Sequence, residues 1–369
     1  MNNNSVLFCL LRAGLELERE DPHRVSALFE VKPDWKWIYK MAAKQGVLAI
    51  VFDGLNKLIN DGLIPVDMLP DKSMKLQWGF NVVKIEQRFE QQKTLAIELA
   101  DQYAAHNIRT VVLKGLAVAQ YYPVPNHRPC GDMDCFLCGN YESGNQIAEQ
   151  IGADVKRDYY KHAHVSYKGL TVENHQFCTA IRGSKKAKRF EKELQKLLEE
   201  PQNKILDSNL EQPNPLFNAL FLTIHAWGHF LTEGIALRHL IDWALLVQRF
   251  GREIDWVQFK GIAESRDRGM YRFAESMVCL AHYILGVDVP SRFEVDNALS
   301  ATNRAFLHSI LFDDDKINNK GYSAWKGRVM LVLNAFKSDW KYKAFSEQTS
   351  VSKTLNNIGS FIFERNPHL

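Results

Sequence analysis

The segment Val111-Val112-Leu113-Lys114-Gly115, followed by Gly131-Asp132-Met133-Asp134-Cys135-Phe136, constrains this chain more than any other. A short β-branched run ends in a glycine. A second apolar strand then carries two aspartates one residue apart. Side chains alternate between the faces of a strand, so Asp132 and Asp134 project to the same side. Carboxylates placed this way can share a divalent cation or flank a pair of them. Hard oxygen ligands suit magnesium or manganese, the ions that activate phosphate esters. An isolated Asp-x-Asp is more often a polar strand end, but the upstream glycine and the apolar flanks favour the metal reading.

The rest of the chain reads as a globular protein. Its 369 residues are 46% hydrophobic and 24% charged, an ordinary balance for a chain that buries substantial cores. A net charge of +3 argues against bulk polyanion binding while permitting a local basic pocket. The start Met1-Asn2-Asn3-Asn4 lacks the basic region and apolar core of a secretory signal. The longest apolar runs, Gly46 to Phe52 and Val329 to Leu333, are too short to span a bilayer. The expectation is a cytoplasmic protein with no membrane partner. Six cysteines suit a reduced compartment. Cys135 and Cys138 form Cys-x-x-Cys with Cys130 nearby, but zinc needs four ligands and no second pair follows, so free thiols are expected.

Periodicity divides the chain into three expected regions, at 1–107, 108–184 and 185–369. The first is helical, with Leu7, Leu10, Leu11 and Leu15 on one helix face, an Asp34-capped helix, and a long helix from Ser73 to His106. The middle region changes period. Strands are expected at Arg109 to Lys114, Asp132 to Leu137, His162 to Tyr167 and Leu170 to Cys178. The last two are joined by a Lys168-Gly169 hairpin turn. Short helices fall at Leu116 to Tyr122 and, from a serine cap, at Ser143 to Ile151. The charged run Lys185 to Glu200 reads as an exposed helix. Beyond Pro213-Asn214-Pro215 the pattern is helical to about residue 286, with pieces near Arg304 to Phe312 and Tyr322 to Phe336. The fold class is α+β, a small mixed sheet between helical regions.

Taken together, Leu113-Lys114-Gly115, Tyr121-Tyr122-Pro123, Arg128 and Asp132-Met133-Asp134 resemble the active-site strand–turn–strand of the nucleotidyltransferase superfamily, the DNA polymerase β-like fold. The resemblance is closer to its branch of uncharacterised bacterial nucleotidyltransferases. That branch tends to add a His-rich helix and a Leu-Arg-x-x-x-Asp-Trp-like segment. Here these are Ile224-His225-Ala226-Trp227-Gly228-His229 and Leu237-Arg238-His239-Leu240-Ile241-Asp242-Trp243. The resemblance spans about residues 75 to 290. It implies a nucleoside triphosphate substrate, Mg2+ or Mn2+, and a third carboxylate from a neighbouring strand. Leu116 stands where the superfamily usually has a serine or glycine.

The residues support this chemistry independently. Phosphoryl transfer demands chiefly positioning and charge neutralisation. Gly115 at a helix start lets backbone N–H groups approach a phosphate, and Lys114 and Arg128 flank that turn as candidate phosphate partners. On the strand Leu170 to Cys178, alternation puts Thr171, Glu173, His175 and Phe177 on one face, making Glu173 the best third acid. His175 beside it can orient the acid or touch substrate. Asp154 and Asp158 are weaker competitors at an expected turn. His225 and His229 share a helix face with Glu233 a turn beyond. A zinc site there is disfavoured against packing or a substrate contact, and Arg238 belongs to the same expected wall, with Asp242 anchoring a neighbour. Asp313-Asp314-Asp315 reads as solvated surface.

The expected activity is metal-dependent nucleotidyl transfer from a nucleoside triphosphate to an acceptor hydroxyl or related group. Asp132, Asp134 and Glu173 are expected to hold the metal. The alternatives are a catalytically inactive nucleotide-binding or regulatory module with the same fold, which the missing turn serine supports, and a metal-dependent phosphohydrolase.

Overall fold

The computed structural model describes residues 3–17, 21–182, 184–295, 298–313 and 339–349. The expected helical piece Tyr322 to Phe336 lies outside the described residues, as do Asp314 and Asp315.

The first hundred residues are helical: α1 (Asn3–Leu15), α2 (Pro22–Leu28), α3 (Trp35–Lys44), α4 (Leu48–Asn60) and the long α5 (Lys72–Ala104). Side-chain caps define their starts, with Asp34 accepting from the Trp37 N–H and Asp71 from the Met74 N–H, each satisfying a donor the helix itself leaves unpaired. The chain then enters the sheet with β1 (Thr110–Val112), a one-turn helix α6 (Leu116–Ala119), and β2 (Met133–Phe136). Next come α7 (Tyr141–Gln150), β3 (Asp154–Lys156), β4 (His162–Tyr167) and β5 (Leu170–His175). At the β4–β5 turn Lys168 and Gly169 have φ of 50° and 88°, the two positive angles that a two-residue hairpin turn requires.

The sheet does not stop at residue 184. After α8 (Lys185–Lys196), short strands β6 (Asn203–Lys204) and β7 (Leu210–Gln212) return to it, giving seven strands in the order β3-β4-β5-β2-β1-β7-β6. The pairs β2–β5 and β1–β7 are parallel and the others antiparallel. The helices α9 (Pro215–Thr232), α10 (Leu237–Phe250), α11 (Trp256–Arg266), α12 (Arg268–Leu285), α13 (Ala301–Phe312) and α14 (Asp339–Phe345) follow.

Alternation along the strands feeds two cores. Val112, Cys135, Val165 and Val172 pack under α5 and α7 against Phe89, Leu99, Tyr103 and Ile147. Val111, Leu113 and Phe136 face the other way, into a larger core shared by the early and late helices. The two helical regions are thus one body, and the Arg12 guanidinium donates to the Ile284 carbonyl across it at 2.9 Å. Two local expectations need correction. α7 begins at Tyr141, two residues before the serine expected to cap it. The run from Lys185 is not simply exposed, because Phe190 and Leu194 are fully buried and Glu191 nearly so. Among the described residues no helix is long and apolar enough to cross a membrane.

Candidate active site

The parallel β2–β5 pairing sets Asp134 directly beside Glu173. Asp132, Asp134 and Glu173 line one cavity of about 680 Å³ on the sheet face away from α5 and α7. β1 closes against β2, where the Leu113 N–H donates to the Asp134 carbonyl at 2.9 Å. That bond delivers the next residue, Lys114, to the acids, with its Nζ 3.1 Å from Asp134 Oδ2. The contact is ionic without hydrogen-bond geometry, so among the described residues the buried Oδ2 has no hydrogen-bond partner. Burial opposes ionisation of Asp134, but the hydrogen bond from His175 and the Lys114 charge outweigh it and hold the carboxyl well below its ordinary range. Asp132 goes the other way. Burial and the neighbouring Asp134 charge both raise its pKa, as expected of two like charges sharing a site.

Gly115 has φ of +64° at the start of α6. A Cβ there would meet the Asp132 carbonyl oxygen at an ordinary 3.8 Å, so glycine is required by the dihedral and not by space. α6 is one turn long, so its dipole is small. What the turn offers a phosphate is backbone N–H groups next to Lys114.

Histidines surround the third acid. His175 Nε2 lies 3.2 Å from Asp134 Oδ1 and 3.4 Å from Glu173 Oε2. Across the β4–β5 ladder His162 pairs with His175 and His164 with Glu173. His162 Nδ1 is 3.2 Å from Glu173 Oε2, and His164 Nε2 is 3.7 Å from Glu173 Oε1. Burial disfavours charge on His175, but its hydrogen bonds to Asp134 and Glu173 outweigh this and raise its pKa. The same histidine helps to keep Glu173 low against the effect of burial. His162 is pushed by burial down to about 4. Lys161, also on the cavity wall, has its pKa lowered by burial despite Asp134 and Glu173 nearby. Glu191 fixes the loop after β5, accepting from the Cys178 and Thr179 N–H groups at 2.7 and 2.8 Å.

The facing wall comes from α9 and α10. His225, His229, Arg238 and His239 all line the cavity opposite the acids. His225 and His239 are held neutral chiefly by burial, His239 down to about 3. A smaller adjoining cavity of about 90 Å³ shares Lys114, Asp132, His225, Arg238 and His239 and adds Gly115 and Arg128. Arg128, expected as a phosphate partner, is committed elsewhere: its Nε and Nη2 donate to Asp242 at 2.7 Å each, in a fully buried pair. Asp242 also accepts from the Tyr122 hydroxyl at 2.6 Å, and Tyr121 accepts from Asn218 of α9 at 2.8 Å. The Tyr-Tyr-Pro and Arg segments therefore rivet the sheet to α9 and α10. Arg238 donates to the Pro129 carbonyl at 3.1 Å.

The family model described as "uncharacterised nucleotidyltransferase" matches residues 32–286. The chain belongs to this family. No curated protein and no solved structure matches it. The matched span of this uncharacterised nucleotidyltransferase runs from just before α3 to just past α12, so it takes in the sheet, the acids and the α9–α10 wall together.

Of the residues singled out in the sequence, the fold brings Asp132, Asp134, Glu173, Lys114, His225, His229 and Arg238 to one cavity, with Gly115 on the adjoining one and His175 fully buried behind Asp134 and Glu173. Asp154 and Asp158 do not join them; Asp158 sits at the exposed rim against His164. His229 is 3.6 Å from Glu233, yet among the described residues the group close enough to share an ion is His162, Glu173 and His175. None of the six cysteines forms a disulfide among the described residues. Lys161, His162, His164, His239 and Glu191 were missed. Alternation alone would have put His162 and His164 on one face of β4. That this face meets Glu173 depends on the register of the hairpin.

Proposed function

We propose that this protein transfers a nucleotidyl group from a nucleoside triphosphate to an acceptor, with a divalent metal held by Asp132, Asp134 and Glu173. The observation that carries the reading is the convergence of these three carboxylates on a cavity that also receives Lys114 and is walled by α9 and α10. The donor set suits a cation: among the described residues Asp134 Oδ2 is buried with no hydrogen-bond partner and only the Lys114 charge beside it, and a hard oxygen of this kind suits a divalent ion. When bound, the ion neutralises phosphate charge and polarises the group under attack.

The chain's own residues do the rest. Lys114 and the Gly115 turn hold phosphate oxygens, and Lys161 supplies a second cation on the same cavity wall. Arg238 and the neutral His225 and His239 orient the substrates from the facing wall, and closing the cavity against water strengthens each of these contacts. Glu173 completes the metal site or takes the proton of the acceptor hydroxyl, which then attacks the α-phosphorus as pyrophosphate leaves. His175 positions Glu173 and Asp134 by bonding both.

The test is incubation of the full chain with α-labelled nucleoside triphosphates, Mg2+ or Mn2+, and a cell extract as acceptor source. Pyrophosphate release with label transferred to an acceptor is the expected result. Label released only as free nucleotide would make the protein a phosphohydrolase, and nucleotide binding without turnover would make it a binding module.

A further inference from the structure

The third carboxylate of the cavity is not an all-oxygen environment. His175 Nδ1 lies 3.0 Å from the Phe177 carbonyl. A carbonyl only accepts, so Nδ1 carries the proton of that bond and Nε2 is the face turned to the acids. Nε2 bonds Asp134 Oδ1 at 3.2 Å and lies 3.4 Å from Glu173 Oε2. Three potential ligand atoms thus meet, and a bound cation would take the place of the proton that Nε2 shares with the acids. His162 Nδ1 joins at 3.2 Å from Glu173 Oε2 yet makes no hydrogen bond among the described residues, although the residue is only 7% exposed. The His162, Glu173 and His175 ligand atoms all lie within 4.8 Å of one another.

These separations have the size of a coordination shell. Ligands bound at about 2.1 Å sit roughly 3.0 Å apart at octahedral angles and roughly 3.4 Å apart at tetrahedral ones. Within the site His162 Nδ1 and His175 Nε2 lie 3.2 and 3.4 Å from Glu173 Oε2, and beside it Asp134 Oδ1 lies 3.2 Å from His175 Nε2. The backing of His175 by a carbonyl is the second shell that fixes an imidazole for a metal, since it holds the ring with Nε2 turned to the acids. Two imidazoles and a carboxylate favour first-row transition ions over magnesium, which prefers oxygen and its own waters.

We propose that His162, Glu173 and His175 form a nitrogen-containing cation site that selects a first-row transition ion such as Mn2+ or Zn2+ over Mg2+. The proposal deepens the nucleotidyl-transfer reading, because Glu173 belongs to both and the ion would sit beside the reacting phosphate. Asp134, whose Oδ1 faces His175 Nε2, offers a further oxygen. His162 and Glu173 line the large cavity, from which water or substrate can reach the site, while His175 is fully buried behind them.

The test uses the full chain and Mn2+ alone, without nucleotide or acceptor. Pulsed electron paramagnetic resonance of the bound ion reads nitrogen ligation directly. The wild-type protein is expected to show 14N modulation that persists under a tenfold excess of Mg2+. H162Q and H175Q should each weaken Mn2+ binding by at least about tenfold and reduce the modulation, while D132N should leave the modulation in place. If H175Q fails to fold, the wild-type spectrum and H162Q carry the test. Bound Mn2+ without 14N modulation, no binding in the absence of nucleotide, displacement by equimolar Mg2+, or modulation unchanged in H162Q would each overturn the proposal. A protein that shows the nitrogen signature and transfers no nucleotide would sink the transferase reading and leave this site standing.

Discussion

At the scale of single residues, charge pairing decides which candidates are available for chemistry. Arg128 and Asp242 satisfy each other in a buried bidentate pair, the geometry for which the guanidinium fork is suited. Removing one partner strands the other charge out of water. Asp242→Ala should therefore cost about 3–5 kcal/mol in chemical denaturation. Joint replacement by Arg128→Met and Asp242→Leu should recover most of that loss; equal losses in the single and double variants would show that the pair is not what holds the site together. Asp132 is the opposite kind of residue, partly buried, its pKa raised by burial and by Asp134. Its conversion to Asn should leave stability unchanged or slightly higher while abolishing turnover. The aspartates, Glu173 and Lys114 could be picked out in the sequence because strand alternation and the glycine turn are local rules. The role of Arg128 could not, because its partner lies 114 positions away and nothing local distinguishes a phosphate-binding arginine from a buried one.

At the scale of elements, the long-range contacts that join the helices to the sheet are the ones with testable pH behaviour. His127, in the loop before β2, bridges Asp53 of α4 and Glu86 of α5 at 2.6 and 2.7 Å. Burial disfavours its charge, but the hydrogen bonds to both carboxylates outweigh this and raise its pKa above the ordinary 6.5. A raised histidine contributes stability that is fully present below the unfolded value and is lost as pH rises through the folded value. Melting temperature should thus fall as pH rises above about 6.5, and His127→Gln should flatten that dependence; a His127→Gln profile parallel to wild type would contradict it. Long periodic elements such as α5, and the β4–β5 hairpin with its Lys168-Gly169 turn, follow from sequence pattern. β6 and β7 do not, since strands of two and three residues carry no period and exist only because β1 offers an open edge. The amphipathy of α8 was hidden for a related reason, as its many Lys and Glu residues mask a narrow stripe around Phe190 and Leu194.

At the scale of the whole molecule, the sheet and the α9–α10 wall act as two jaws of one cavity, and substrate must fit between them. Gly228 lies on the α9 side, and a Cβ built there meets nothing within 4 Å. The Cβ of Gly228→Leu therefore has open space, its side chain should extend into the cavity, and the change should stabilise the helix by up to about 1 kcal/mol. The expected result is an equal or higher melting temperature with transfer reduced at least about tenfold, as misplacement of reactants demands; undiminished transfer would mean that the cavity is not where substrate sits. The central claim is that the carboxylate cluster drives nucleotidyl transfer, and one comparison tests it most directly. Pyrophosphate release from nucleoside triphosphate, with divalent metal and acceptor extract, is measured for the wild-type chain and for D132N of matched melting temperature. Release by the wild type and a loss of at least about a hundredfold in the variant is the predicted result, whereas equal release from both proteins, or none from the wild type under any metal, would contradict it.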